Sequence, residues 1–209
     1  ETIEGYATAL IGEERKARFL QEKEADFSYT VEEKARFRMN IYMSKGSFAI
    51  TGRNIISEIR TIEDLKLPKI LKFFSQLSQG FVLMVGPNGH GKSTTLAALV
   101  NLINKERVEK IITIEDPIEY LFTSDRSIID QREVYRDTNS FANALRATFR
   151  ENVNVVMVGE LRDYETMSAA VSAAETGHLV FASLHTNNAS QTIERIIDSF
   201  PPAQQPQII

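Results

Sequence analysis

The chain contains no cysteine and only three histidines. The first absence excludes disulfides and thiolate metal sites and fits a reducing compartment. The scarcity of imidazoles argues against zinc, because only His90 would be left to join His178 and His185. No apolar run is long enough to predict a transmembrane helix. The opening stretch ETIEGYATALIGEERKARFL lacks the basic-then-apolar order of a signal peptide. An excess of positive charge is also missing. The 24 Lys and Arg stand against 28 Asp and Glu, a net charge of −4, which gives no reason to expect nucleic-acid binding. Low-complexity stretches and solenoid-period repeats are absent.

What is present has the composition of an ordinary soluble globular protein. The 209 residues, 43% hydrophobic and 25% charged, suffice for one or two domains. Residues 1–25 read as helix, with Ile3, Tyr6, Leu10, Phe19 and Leu20 loosely at helical spacing. From Asp26 the period changes to two. Phe27, Tyr29 and Val31 alternate with polar residues, as do Phe37, Met39, Ile41 and Met43, and a third run follows Lys45-Gly46-Ser47. That pattern predicts a small antiparallel sheet ending near Ser57. Thr61-Ile62-Glu63-Asp64-Leu65 has a capping-type start, and Pro68 is expected to open a further helix through Leu77.

Beyond Gly80, apolar runs at 81–85, 111–114, 128–129, 153–158 and 179–184 alternate with helical stretches at 92–105, 140–150, 163–175 and 189–199. Buried strands alternating with amphipathic helices predict an α/β domain with a parallel sheet. The expected division is a domain at 1–57 and a second at 58–209, with the boundary near 57–61. Both ends read as fragment boundaries.

Residues 81–94, FVLMVGPNGHGKST, carry the strongest chemical signal. Gly86, Gly91, Lys92 and Ser93 satisfy G-x-x-x-x-G-K-[ST] between an apolar strand and a helix. Glycines let backbone N–H groups curl around phosphate oxygens, and the helix N-terminus adds partial positive charge. The lysine reaches β- and γ-phosphates and the serine binds Mg²⁺. A nucleoside triphosphate with Mg²⁺ is therefore expected, held by Gly86, Pro87, Asn88, Gly89, His90, Gly91, Lys92, Ser93 and Thr94. The loop does not name a reaction. Small-molecule kinases, ABC-type ATPases and ring motors all use it, whereas a GTPase would need an N-K-x-D segment that is missing.

Two acidic clusters follow strands. In IITIEDPIEY, Glu115, Asp116 and Glu119 lie past an apolar run, where a parallel sheet forms its ligand crevice. A polar Asp-Pro turn explains the same residues equally well. In VNVVMVGELRD the strand ends at Gly159-Glu160, and an acidic residue there would hold Mg²⁺ through water. Gly159 is expected to remove bulk beside the metal. In TGHLVFASLHTNN, His178 precedes a strand and His185 follows it, and either imidazole serves equally as a plain hydrogen-bond partner.

Taken together these clusters resemble the type II/IV secretion-system ATPase superfamily, and more closely the type IV pilus retraction ATPases of the PilT family. GPNGHGKST matches the family's phosphate loop, TIEDPIE its Asp box, VGELRD its metal-strand motif and ETGHLVFASLHT its His box. The stretch EADFSYTVEEKARFRMNIYMSKG is similar to the family's PAS-like domain. The resemblance implies a RecA-like P-loop domain, preceded by a partial PAS-like α+β domain. It implies that Glu119 polarises the attacking water, that Glu160 and Ser93 hold Mg²⁺, and that His178 and His185 couple nucleotide state to the sheet and to neighbouring subunits. Arg38 and Arg53 match family arginines that approach the phosphates when domains close.

The resemblance further implies ATP as substrate and a homohexameric ring in the cytoplasm. The ring would be peripheral to the inner face of the cytoplasmic membrane, beneath an inner-membrane pilus platform protein, and would power pilus retraction and twitching motility. His90 and Asn88 depart from the family's usual small residue and Thr. The competing expectations are an assembly or type II secretion ATPase of the same superfamily, a catalytically silent partner subunit, and a small-molecule kinase. Ala-Ala-Glu-Thr before Gly177, RFRMN and FPPAQQ favour the retraction class, and intact Lys92, Ser93, Glu119 and Glu160 speak against a silent subunit.

Overall fold

The computed structural model describes residues 2–31, 35–55, 58–186 and 188–208. The chain divides into two units, Glu1–Glu58 with Glu119–Leu121, and Ile59–Ile118 with Phe122–Ile209. The predicted end of the first section at Ser57 lies outside the described residues.

In the first unit, α1 (Ile3–Glu22) lies on a sheet of β1 (Glu24–Val31), β2 (Ala35–Ser44) and β3 (Ser47–Ile55), antiparallel in the order β1-β2-β3. The expected single helix over 1–25 is broken at Gly12, whose φ of 70° and ψ of 165° leave the helical region, and it ends at Glu22 with Lys23 left-handed. Ala7, Ile11 and Phe19 are buried against Phe27 and Ile41, and Phe19 stacks on Phe48 at 5.4 Å. The β2–β3 hairpin turns at Lys45 and Gly46, both at positive φ, which matches the twist of the strands it joins.

The second unit opens differently from expectation. Thr61 and Asp64 do form the reciprocal bonds of a capping box, with each backbone N–H held by the other's side chain at 3.1 Å. The turn stops at once. Lys66 is left-handed, its N–H bonds to the Glu63 carbonyl at 2.9 Å, and that of Leu67 reaches Ile62 at 3.0 Å, a C-terminal cap one turn after the start. The helix expected from Pro68 through Leu77 is confined to α2 (Leu71–Gln76).

The remaining elements are β4 (Gly80–Val85), α3 (Lys92–Glu106), β5 (Lys110–Glu115), β6 (Ile128–Glu133), α4 (Phe141–Thr148), β7 (Val155–Val158), α5 (Tyr164–Glu175), β8 (Leu179–Leu184), α6 (Ala189–Ser199) and α7 (Gln205–Ile208). All five strands are parallel, in the order β4-β8-β7-β5-β6. Alternate side chains enter two cores. Ile112, Val156, Val158, Val180 and Ala182 face α4 and α5, and Ile111, Val155, Met157, Leu179 and Phe181 face α3. Ser140, Asp163 and Asn188 cap the following helices by accepting from the N–H three residues on.

Leu99 of α3 is fully buried in the second of these cores. Leu99→Ala is expected to lower unfolding free energy by about 2–5 kcal/mol, measured by urea titration.

Candidate functional site

Parallel strands place all their carboxyl ends on one side of the sheet, and the predicted loop emerges there from β4. Gly86, Gly89 and Gly91 have φ of 148°, 77° and 83°, a left-handed path that side chains resist. Pro87, Asn88, Gly89 and His90 are exposed, and Lys92, Ser93 and Thr94 form the first turn of α3. Among the described residues no side chain caps this helix, in contrast to α4, α5 and α6. Its first N–H groups and its dipole therefore face the loop. The Lys92 ammonium donates to the Gly86 and Pro87 carbonyls at 2.8 and 3.0 Å. His90 bonds locally, with Nδ1 3.0 Å from the Asn88 carbonyl, so its ring stays with its own turn.

The neighbouring strand ends form a continuous polar chain. Lys92 Nζ lies 3.3 Å from Nδ1 of His185, which follows β8. His185 Nε2 lies 3.4 Å from Glu160 beyond β7. One tautomer satisfies both contacts, with Nδ1 accepting from the ammonium and Nε2–H donating to the carboxylate. Glu160 also pairs with Arg162, whose other terminal nitrogen is 3.4 Å from Asp116 past β5. Burial works against the charge of Arg162, but the hydrogen bond and charge of Glu160, with Asp116 behind, raise its pKa above the usual arginine value. Arg162 stands two positions after Glu160 in the VGELRD stretch, where the sequence assigns it no role.

Gly159 lies beside the end of β5. A Cβ there would meet the Ile114 carbonyl at 3.4 Å and Glu115 Cα at 3.5 Å, ordinary van der Waals contact that leaves room for a methyl group but not for a large side chain. Its N–H bonds to Ile114 at 2.8 Å, and Ser183 Oγ donates to its carbonyl at 2.6 Å.

His178 is not part of this chain of contacts. It precedes β8, at the opposite end from His185, and six residues of strand span roughly 20 Å. Its Nδ1 bonds to the Ala173 carbonyl at 3.0 Å and its ring meets Phe149 edge-on.

In the first unit, Arg38 and Arg53 face each other directly across β2 and β3. Like charges so placed repel unless an anion lies near. Arg38 has one: its Nη1 is 3.5 Å from Glu119 Oε1, both groups being about a third exposed. Arg36, two residues before Arg38 and on the same face, is buried and donates to Ser28 Oγ at 2.6 Å and Thr30 Oγ1 at 3.2 Å. The period-two pattern of RFR could have flagged it. Glu32 and Glu33, the acidic neighbours of these arginines in sequence, lie outside the described residues.

Residues 51–200 match the model of the type II/IV secretion system protein family. The chain belongs to this family. It is 43% identical over 208 residues to a twitching motility protein of Neisseria gonorrhoeae, covering 100% of this chain and 56% of that one. It is 42% identical over 199 residues to the type IV pilus retraction ATPase PilT of Pseudomonas aeruginosa, covering 95% and 58%. A crystal structure of the pilus retraction motor PilT with bound ADP matches it with a TM-score of 0.92 at 45% identity, covering 98% of this chain and 60% of that one. The chain thus spans a little over half the length of these relatives. The family match contains the phosphate loop, Glu119, Glu160, both strand-flanking histidines and Arg53, while Arg38 precedes it.

The residues present fit a nucleotide and Mg²⁺. Left-handed glycines, an uncapped helix start and a lysine suit phosphate. Mg²⁺ prefers one or two protein oxygens and several waters, which Ser93 and Glu160 would supply. Among the described residues no group of three or more His, Cys, Asp or Glu could form an all-protein metal cage.

Replacing Gly159 by Ala should be tolerated within about 1 kcal/mol, whereas Gly159→Leu should cost about 1–3 kcal/mol by forcing β7 from β5. Thermal unfolding of the two variants measures the difference.

Proposed function

We propose that this chain forms the ATP-hydrolysing core of a type IV pilus retraction motor, acting as a homohexameric ring. The contact chain Lys92–His185–Glu160 carries the reading, because it joins the phosphate loop to the metal-strand acid inside one sheet. The loop N–H groups and Lys92 would bind the β- and γ-phosphates. Ser93 would ligate Mg²⁺ directly and Glu160 through water. Bound Mg²⁺ would offset phosphate charge. Glu119 would orient and polarise the attacking water, which forms a bond to the γ-phosphorus as the bond to the bridging oxygen breaks, leaving ADP and phosphate. Arg53 and Arg38, opposite each other on β2 and β3, would offset charge on the γ-phosphoryl group. His185 would report the state of the phosphates to β8, and His178 would receive that report at the strand's far end.

No described helix is long and apolar enough to cross a membrane, which fits a motor that docks at the inner face of the cytoplasmic membrane beneath a pilus platform protein. The similarity to twitching-motility and retraction proteins over 95–100% of the chain favours retraction over assembly or type II secretion.

Lys92→Ala is expected to abolish nucleotide binding, while Glu119→Gln keeps ADP affinity and loses about 10²–10⁴ in turnover. Nucleotide titration beside phosphate release in the full-length protein separates the two, and a wild-type rate for Glu119→Gln would refute the water-activating role. Arg53→Ala should leave ADP binding intact and lower turnover by about 10³–10⁵. Mixing Arg53→Ala with Lys92→Ala subunits then restores activity only where the arginine serves a neighbour. A strictly monomeric, fully active protein would rule out the ring.

A further inference from the structure

Glu119 sits in the connection between β5 and β6, and β6 itself holds that connection on both sides of it. Glu133, the last residue of β6, accepts from the Ile118 N–H at 3.2 Å. Gln131, two residues earlier and so on the same face of the strand, accepts from the Phe122 N–H at 2.8 Å. The Gln131 amide in turn donates to Glu115 Oε1 at 3.3 Å, and Thr113 Oγ1 donates to the same oxygen at 2.7 Å. The two backbone anchors therefore fall immediately before and immediately after Glu119–Leu121. Further along, Asn104 of α3 donates to the Thr123 carbonyl at 2.8 Å and accepts from the Asp125 N–H at 3.1 Å.

Glu115 and Glu133 are 6% and 2% exposed, unusual positions for carboxylates. Burying such groups costs free energy that apolar side chains at the same strand end would not. What the polar set provides is directional: two fixed acceptors for two backbone N–H groups that flank one short stretch.

We propose that Gln131 and Glu133 are positioning residues for Glu119. They fix the backbone on either side of it and so hold its carboxylate in one place, without themselves touching substrate. The inference rests on the reading of Glu119 as the water-polarising group. A misplacement of about 1 Å in such a group costs about a hundredfold in rate.

The test uses the full-length protein with Gln131→Met, Glu133→Leu and Glu133→Gln, each alone and combined with Glu119→Gln. Gln131→Met and Glu133→Leu should lower turnover by about 10–100-fold while ADP affinity stays within about twofold. Glu133→Gln retains an acceptor for the Ile118 N–H and should recover most of the rate. Amide exchange at Ile118 and Phe122 should quicken in the damaging variants. In the Glu119→Gln background the same substitutions should cost no further turnover, since positioning an absent carboxylate is worth nothing. Near-wild-type turnover in Gln131→Met and Glu133→Leu, beside an inactive Glu119→Gln, would overturn the positioning role alone. An equal loss in the Glu119→Gln background would overturn it too, by showing an effect unrelated to Glu119. Full activity of Glu119→Gln itself would instead remove the underlying reading, and the positioning role with it.

Discussion

The place of β8 between β4 and β7 controls the rest of the site. Neighbouring strands lie about 4.8 Å apart, so the strand that feeds the phosphate loop and the strand that ends in Glu160 are separated by about 10 Å. No single side chain of β4 or β7 need cross that gap, because β8 delivers an imidazole into the middle of it. His185 is suited to the position because its two ring nitrogens point in different directions, one toward an ammonium and one toward a carboxylate. Parallel pairing makes this possible. All the strands finish on the same side, and the loops that follow them meet there.

Close packing of those strands sets its own demands. A small residue fits at Gly159, where β7 leaves the sheet beside Ile114 and Glu115. The N–H of Leu161 and the hydroxyl of Ser183 tie the segment carrying Glu160 to β8, through the Ser183 and Gly159 carbonyls. The acid is thus placed by backbone as much as by its own partners. Its partner Arg162 extends the line of polar contacts to Asp116, so that the ends of β4, β8, β7 and β5 share one electrostatic network.

The parallel sheet and its helices were legible because apolar runs and amphipathic stretches alternate after Gly80, except between β5 and β6. The phosphate loop was legible because its glycines and Lys92 are contiguous in sequence. Other features were not. Thr61 and Asp64 announce a helix start, yet the left-handed Lys66 ends the turn within a few residues. Gly12 sits inside a helical pattern and breaks it. His178 and His185 look like a pair along the chain, but a six-residue strand holds them at opposite ends of the sheet. Gln131 and Glu133 escaped notice because their partners, Phe122 and Ile118, become neighbours only through loop return.

The guanidinium row on β2 and β3 has a consequence for control. Arg38 and Arg53, opposite each other, put two like charges on one patch of this sheet. Mobile ions can weaken their effect, since the field of exposed charges fades within about 8 Å at physiological ionic strength. The dial for this surface is therefore salt.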